Sequence, residues 1–271
     1  MSAMGKGTKY VAKVPDAKGF IQYTDEEHAV WNHLITRQRP VAERYASDEY
    51  LTALERMAFP TDRIPQCKEV SEVLLDHTGW QVAPVAALIP FGEFFRLLSE
   101  KQFPAASFIR SRDEIDYLQE PDIFHEVFGH TPLLTDPRFA EFTHAYGIAG
   151  LNAPKEDRAM LARLYWFTVE FGLMNTSRGL KTYGAGIVSS MGETPYSIES
   201  DTPIRKPFDP IDALRTPYRI DIFQTVYFVI DSLDDLFEVA RMDLLALIAE
   251  ARRLGMHAPT FPIDENAPKW A

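Results

Sequence analysis

The chain has 271 residues, and its 46% hydrophobic and 12% aromatic content is enough for a sizeable hydrophobic core. Its formal net charge of −11 argues against nucleic acid or an anionic membrane as a partner, because such surfaces bind clustered Lys and Arg. We find no apolar run of ~18 residues and no export signal, and the one cysteine, Cys67, suits a reducing compartment, so we expect a cytoplasmic protein.

Helical patterns dominate the first half of the chain. Residues 1–19 show little periodicity, so they are predicted to form a flexible arm before a single domain at 20–271. Thr24 and Glu27 have the spacing of a capping box, which predicts a helix from there to about Arg44. Apolar periodicity predicts further helices at 48–58, 67–78, 92–101 and 137–147.

The strongest helical segment is predicted to begin at Pro154 and to run to about Met174. Its apolar residues nearly surround the helix, which predicts a position deep in the core. Glu170 lies within this apolar wall, and a buried glutamate is rare unless it is paired or coordinates a metal. A salt bridge to a buried arginine and a metal ion both remain open as its partner.

The last third of the chain is less regular. Residues 181–198 contain Gly184, Gly186 and Gly192, which predict short strands and tight turns, and the glycine pattern is weak evidence for a nucleotide. A strand is predicted at 218–230, then a long helix at 232–254 that Gly255 ends, and an irregular tail from about 256. The predicted fold class is therefore mainly α with a few short β-strands.

Two histidines stand inside the apolar run 121–130. His125 and His130 are five residues apart, so on an ideal α-helix their side chains diverge by roughly 140°. The zinc-protease pattern has histidines four apart, and here a shared metal requires a helix end or a distortion, which Gly129 permits. Two satisfied core histidines and a metal pair are both compatible with this spacing.

Glu170 turns the pair into a possible metal site. Two imidazoles and one carboxylate form the facial triad that binds non-haem Fe(II), although zinc hydrolases also use two His and one Glu. The neighbouring aromatic residues suit an oxidising intermediate and an aromatic substrate better than they suit hydrolysis. They are Phe124, Phe128, Tyr165, Trp166 and Phe171.

Several separate blocks of the chain resemble the pterin-dependent aromatic amino acid hydroxylases, most closely the short bacterial phenylalanine 4-hydroxylases. The blocks lie at 64–66, 83–86, 108–110, 120–130, 165–172 and 183–190. Their shared order and spacing argue against coincidence. The resemblance implies a single catalytic domain that hydroxylates L-phenylalanine to L-tyrosine with O2, a tetrahydropterin and Fe(II). No sustained heptad pattern of a tetramerisation tail follows Gly255, so we expect a monomer.

The family match also implies residue roles. His125, His130 and Glu170 match the iron ligands, and Arg110 matches an arginine that clamps the α-carboxylate of the substrate. The substrate pocket is expected to include Pro121, Trp166, Phe171 and Ser189, the last near the amino-acid end. The pterin is expected to contact Ile89, Phe94, Ala162 and Tyr165 directly and Glu126 through water, and Glu120 is expected to orient the arginine.

Three classes of protein are compared on this basis. An iron- and pterin-dependent monooxygenase is favoured, and Trp166 and Ile220 favour phenylalanine over tryptophan and tyrosine as its substrate. A zinc hydrolase would use the same three ligands. A non-catalytic binding protein with the same fold is least favoured, because all three ligand residues are present.

Overall fold

Helices make up most of the structure, a computed structural model in which residues 10–85, 89–116, 118 and 120–262 are described. The α-helices are α1 (Asp25–Tyr45), α2 (Asp48–Met57), α3 (Cys67–His77), α4 (Phe91–Ser99), α5 (Pro137–Asn152), α6 (Arg158–Tyr165), α7 (Ala185–Val188), α8 (Glu193–Glu199), α9 (Pro210–Arg215), α10 (Leu233–Ala240) and α11 (Leu244–Leu254). Short 3-10 turns lie at Arg112–Glu114 and Leu133–Thr135. Two π-helical turns lie at His125–His130 and Trp166–Glu170. The prediction of a mainly helical fold with few strands is confirmed.

The strands form two small sheets. They are β1 (Gln81–Val85), β2 (Gln102–Ala106), β3 (Leu173–Thr176), β4 (Gly179–Thr182), β5 (Ile204–Pro207) and β6 (Val226–Ile230). β1 and β2 pair in parallel, with α4 crossing between them, and the second sheet has the order β4-β3-β6-β5. In it β3 and β4 are antiparallel, whereas β6 runs parallel to both β3 and β5.

The predicted helix starts in the first half are confirmed by their caps. Thr24 accepts from the backbone N–H of Glu27, whose carboxylate accepts from the N–H of Thr24 at 2.7 Å. Pro137 stands in the first turn of α5, after the Asp136 side chain that caps it. α5 packs along α4 and α10.

The predicted helix over 154–174 is wrong at both ends. α6 begins only at Arg158, after a turn closed by the Asp157 N–H on the Pro154 carbonyl at 2.9 Å. Beyond Tyr165 the chain widens into the second π-helical turn and then enters β3, so Met174 lies in a strand. A continuous apolar run does not distinguish a buried helix from a buried strand, which explains the error.

The other boundary errors have local causes. Residues 181–198 form the end of β4 and the short helices α7 and α8, which are too short to show a helical period. The strand predicted at 218–230 is confined to Val226–Ile230. The helix predicted at 232–254 divides because Asp243 accepts from the N–H groups of Leu245 and Ala246 and so starts α11 afresh.

The ends of the chain carry two untested predictions. Residues 10–19 contain no helix or strand, but the Tyr10 ring stacks on Phe108 at 4.5 Å, so this part of the arm is packed. The described residues after α11 contain no helix or strand. Residues 1–9 of the predicted arm and 263–271 of the predicted tail lie outside the described residues.

Candidate metal centre and substrate site

The two histidines meet because their segment is a π-helical turn. Such a turn bonds residues five apart, so positions i and i+5 lie above one another, whereas an α-helix would turn them apart. The Nε2 atoms of His125 and His130 are 3.1 Å apart. The distortion that the spacing required is thus present over the whole pair, and π-helical turns are frequent at functional sites.

The second π-helical turn supplies the carboxylate. Glu170 ends this turn, and its oxygens lie 3.1 Å from Nε2 of His130 and 3.6 Å from Nε2 of His125. Within the described part of the chain these three residues are the group whose donor atoms all lie within 4.8 Å of one another. The metal-ligand alternative for Glu170 is therefore supported by its two imidazole neighbours.

Helix α7 holds the two π-helical turns together. A Cβ on Gly129 would lie 2.9 Å from the carbonyl oxygen of Ala185, so only glycine lets the first turn approach this closely. A Cβ on Gly184 would lie 2.4 Å from the carbonyl oxygen of Glu170. The backbone N–H of Gly186 donates to the Glu170 carboxylate. The glycines at 184 and 186 thus serve close packing at the second turn.

The charges suit a metal ligand set. Burial lowers the pKa of His125 to about 4, so its imidazole is neutral near pH 7. Burial alone would raise the pKa of Glu170, but His130, His125 and the Gly186 N–H hold it below its ordinary value. A neutral imidazole and an ionised carboxylate are the forms that bind metals.

Ser189 contacts a metal-ligand candidate. Its hydroxyl lies 2.9 Å from Nδ1 of His125 and donates to the carbonyl of Ala185 at 2.7 Å. Because the hydroxyl proton is used on Ala185, Ser189 accepts the Nδ1 proton of His125, which leaves Nε2 free for a metal. The predicted contact of Ser189 with the substrate stays a prediction.

Arg110 is held by an aspartate that the sequence analysis did not single out. Asp122 is fully buried and accepts from Nε of Arg110 at 2.8 Å, from Nη2 at 2.9 Å and from its backbone N–H at 3.0 Å. It also accepts from the backbone N–H of His125 at 3.1 Å. Asp122 therefore joins the arginine to the metal segment. An aspartate within the apolar run 121–124 was the available signal, and the predicted role of Glu120 stays a prediction.

Aromatic rings stand beside Glu170. Trp166 stacks on Tyr218 at 4.3 Å with an interplanar angle of 17°, and its ring lies 4.5 Å from that of Phe171. Trp166, Phe171 and Pro121 are each partly exposed, as residues of an open pocket would be. The sequence analysis placed Tyr218 at the start of a predicted strand and so missed its contact with Trp166, whereas it lies in a loop.

The predicted pterin residues partly cluster. The Phe94 ring meets the Tyr165 ring edge-on at 5.5 Å, and Tyr165 lies 6.1 Å from the His130 ring. Ala162 stands one turn before Tyr165 on α6, and Ile89 precedes α4. Burial and the charges of Glu170 and Asp122 raise the pKa of Glu126 well above its ordinary value. Glu126 is thus a buried acid near the metal ligands.

The donor set fits one metal ion. With bonds of about 2.1 Å at right angles, neighbouring donor atoms lie about 3 Å apart, close to the separations of 3.1, 3.1 and 3.6 Å found here. Two imidazoles and one carboxylate on one side leave the other side open, as in non-haem iron sites. His125, His130 and Glu170 would hold the ion.

Fold and site define a mainly helical protein with a metal site of the facial-triad type. A family model described as "Biopterin-dependent aromatic amino acid hydroxylase" matches residues 5–247. The chain belongs to this family, and it is therefore an enzyme. This finding confirms the family resemblance and displaces the zinc-hydrolase and non-catalytic alternatives. It also confirms iron and a pterin as the cofactors.

Two proteins to which the chain is similar, a named relative and a solved structure, are phenylalanine hydroxylases. The chain is 58% identical over 262 residues to "Phenylalanine-4-hydroxylase" of Pseudomonas aeruginosa, covering 97% of this chain and 100% of the relative. It is similar to the apo structure of a cold-active phenylalanine hydroxylase of Colwellia psychrerythraea, with a TM-score of 0.92, 56% identity and coverage of 94% and 98% of the two chains.

A third relative shows what a member of the family binds. The phenylalanine hydroxylase of Chromobacterium violaceum has been solved with iron(III) and oxidised 7,8-dihydrobiopterin. Its structure matches with a TM-score of 0.85 and 41% identity, over 94% of this chain and 91% of that one. Among the described residues, no helix is both long and apolar enough to cross a membrane.

Proposed function

We propose that this enzyme is a phenylalanine 4-monooxygenase, which converts L-phenylalanine to L-tyrosine with O2 and a tetrahydropterin. The observation that carries the proposal is the meeting of His125, His130 and Glu170 in a chain 58% identical to a phenylalanine-4-hydroxylase over 97% of its length. Iron and the reduced pterin, when bound, supply the electrons that activate O2.

Arg110 would bind the amino-acid end of the substrate. Its guanidinium has five N–H groups, and Asp122 takes one from Nε and one from Nη2. Nη1 donates one hydrogen to the carbonyl oxygen of Ile115 at 3.4 Å. The other hydrogen of Nη1 and the second hydrogen of Nη2 are then available to the α-carboxylate, which a planar two-pronged donor suits. The Asp122 pair prevents rotation of the guanidinium, so the donors are oriented before the substrate arrives.

Aromatic side chains would fix the ring. Trp166 and Phe171, with Pro121, offer apolar faces beside Glu170, and a phenyl group packs well against such faces. Their apolar surface also excludes water from the reacting carbon, which limits side reactions. Phe94, Tyr165, Ala162 and Ile89 are the residues we assign to the pterin ring, and Glu126 to a water-mediated contact with it.

The direct test is anaerobic reconstitution. The enzyme is loaded with Fe(II), mixed with a tetrahydropterin and L-phenylalanine, and exposed to O2, and the products are separated. Tyrosine should form only when all components are present, and zinc should not replace iron. Absence of tyrosine with every component present contradicts the proposal, and faster turnover of tyrosine or tryptophan contradicts the substrate assignment.

The clamp assignment has its own test. Arg110→Ala should raise KM for phenylalanine far more than KM for the pterin, because the lost contact is to the substrate carboxylate alone. Equal effects on both constants contradict the role of Arg110.

We further propose a cytoplasmic monomer without nucleic-acid partners, built as one domain from about residue 20. The net charge of −11 and the free, buried Cys67 support this proposal. Light scattering tests the oligomeric state, cell fractionation the location, and limited proteolysis the domain boundary. A stable dimer would contradict the monomer, and an exported protein would contradict the cytoplasmic location. A stable proteolytic fragment that begins far from residue 20 would contradict the domain boundary.

A further inference from the structure

The loop 216–225, between α9 and β6, is tied to Trp166 by a glutamine. Gln224 is buried, with 4% of its surface exposed, and its Oε1 accepts from the indole N–H of Trp166 at 2.9 Å. Its Nε2 donates to the carbonyl oxygens of Arg219 at 2.8 Å and Ile222 at 3.2 Å. Since the amide nitrogen is engaged by two acceptors of the loop, the oxygen must face Trp166.

The backbone of Gln224 is held as firmly as its side chain. Its N–H donates to Oε1 of Glu193 at 2.9 Å, and the same oxygen accepts from the Tyr227 hydroxyl. All three residues are buried, with exposures of 4%, 4% and 0%. Helix α8 and strand β6 therefore anchor Gln224 from two sides, and a fully bonded buried network is rigid.

The other contacts of the Trp166 ring are apolar. Tyr218 lies nearly parallel to the indole at 4.3 Å, and Phe171 lies beside it at 4.5 Å. Stacked rings tolerate sliding and in-plane rotation, whereas a hydrogen bond is directional. The stacking therefore sets the plane of the indole, and the bond to Gln224 sets its orientation within that plane.

We propose that Gln224 is a positioning residue that orients the Trp166 indole and thereby sets the affinity for phenylalanine and the discrimination against tryptophan. The inference rests on the proposed role of Trp166 as a wall of the substrate pocket. It assigns to the loop 216–225 a part in substrate choice through a buried hydrogen bond. Gln224 itself need not touch the substrate.

The experiment uses Gln224→Met, which keeps the length of the side chain and removes its hydrogen bonds. The matched control is Gln66→Met, because Gln66 likewise bonds two main-chain groups, the N–H of Ile21 at 2.8 Å and its carbonyl at 3.1 Å. Phenylalanine binding is measured by calorimetry on the anaerobic Fe(II) enzyme, and unfolding by Tm. The tryptophans are labelled with fluorine and observed by fluorine NMR. The Trp166 resonance is the one that is missing from the spectrum of Trp166→Phe.

Gln224→Met should weaken phenylalanine binding by about threefold to tenfold, the range expected for one neutral hydrogen bond. It should shift the Trp166 resonance and lower the ratio of kcat/KM for phenylalanine to that for tryptophan. Gln66→Met should lower Tm without either effect. In the Trp166→Phe background, Gln224→Met should add no further weakening, because the bond that it removes is already gone.

Three results overturn the inference. If Trp166→Ala weakens binding but Gln224→Met does not, the wall assignment stands and the role of Gln224 is wrong. The role is also wrong if Gln224→Met weakens binding equally with and without the indole. If Trp166→Ala leaves phenylalanine binding unchanged, the wall assignment and the inference fall together, while tyrosine formation by the unaltered enzyme still supports the proposed function.

Discussion

The Nε2 atoms of His125 and His130 lie 3.1 Å apart although five residues separate them along the chain. A π-helical turn accounts for this distance, and Gly129 within the turn lies against Ala185 of α7. The metal centre therefore depends on a backbone distortion and on a close approach between two elements.

Gly129→Ala should lower the free energy of unfolding by about 1–3 kcal/mol, because the new methyl group would lie 2.9 Å from a carbonyl oxygen. It should also weaken Fe(II) binding, since α7 and its C-terminal cap bring Gly186 and Ser189 to the ligands. Gly92→Ala is the control, because a Cβ there would meet only the end of the Arg158 side chain at 3.5 Å. Urea unfolding and metal titration measure both effects, and equal behaviour of the two variants would contradict the packing argument.

Ser189→Ala should weaken Fe(II) binding by about tenfold to a hundredfold, because the acceptor that holds the Nδ1 proton of His125 is lost. KM for phenylalanine should change less than metal affinity. Ser190→Ala serves as the control, since its hydroxyl accepts from the Glu193 N–H at 3.2 Å. A raised KM with unchanged metal affinity would instead support the predicted contact of Ser189 with the substrate.

Asp122→Asn should lower the free energy of unfolding by about 3–5 kcal/mol, because it leaves the buried Arg110 charge without its partner. Phenylalanine affinity should fall at the same time, since the guanidinium would no longer be held in one orientation. Glu120→Gln compares the two acids directly. A larger loss of phenylalanine affinity in Glu120→Gln than in Asp122→Asn would show that Glu120 orients the arginine.

Glu193→Gln should change how stability depends on pH. Burial raises the pKa of Glu193, even though it accepts from Tyr227 and from the Gln224 N–H. Between its unfolded and folded pKa values the folded state binds more protons, so this carboxyl costs stability as pH rises through that range. Glutamine has no charge to acquire, and it retains an oxygen for both bonds.

The stability of Glu193→Gln relative to the unaltered enzyme should therefore improve as pH rises above about 4.5, the ordinary pKa of a glutamate. Denaturant unfolding at several pH values provides the measurement. Glu43→Gln, at a side chain 60% exposed, is the matched control for the substitution itself. A difference that falls with rising pH for Glu193→Gln would contradict the argument.

The metal-ligand residues were more predictable from the sequence than the backbone turns and buried residues that hold the site in place. His125, His130 and Glu170 follow from residue types, spacing and the family resemblance, whereas the π-helical turns do not, because no residue pattern separates them from an α-helix. Asp122 and Gln224 act through contacts with Arg110, twelve residues away, and Trp166, fifty-eight residues away. Such contacts depend on tertiary packing.

The missed strands have a different cause. β1 contains Pro84 and β2 contains Pro104, and a proline in a short run argues against a strand. The two strands pair in parallel across α4, so the partner of each lies beyond a helix. Local propensity therefore favoured a loop where the tertiary structure builds a sheet.

The central claim is that the metal triad serves oxygen insertion into phenylalanine, and isotopically labelled O2 tests it most directly. The Fe(II) enzyme, a tetrahydropterin and L-phenylalanine are exposed to labelled O2 in ordinary water, and the tyrosine formed is analysed by mass spectrometry. The account predicts one labelled oxygen atom in each tyrosine, and no tyrosine from Glu170→Ala. Tyrosine whose new oxygen comes from water, or product formation that does not need Glu170, would contradict it.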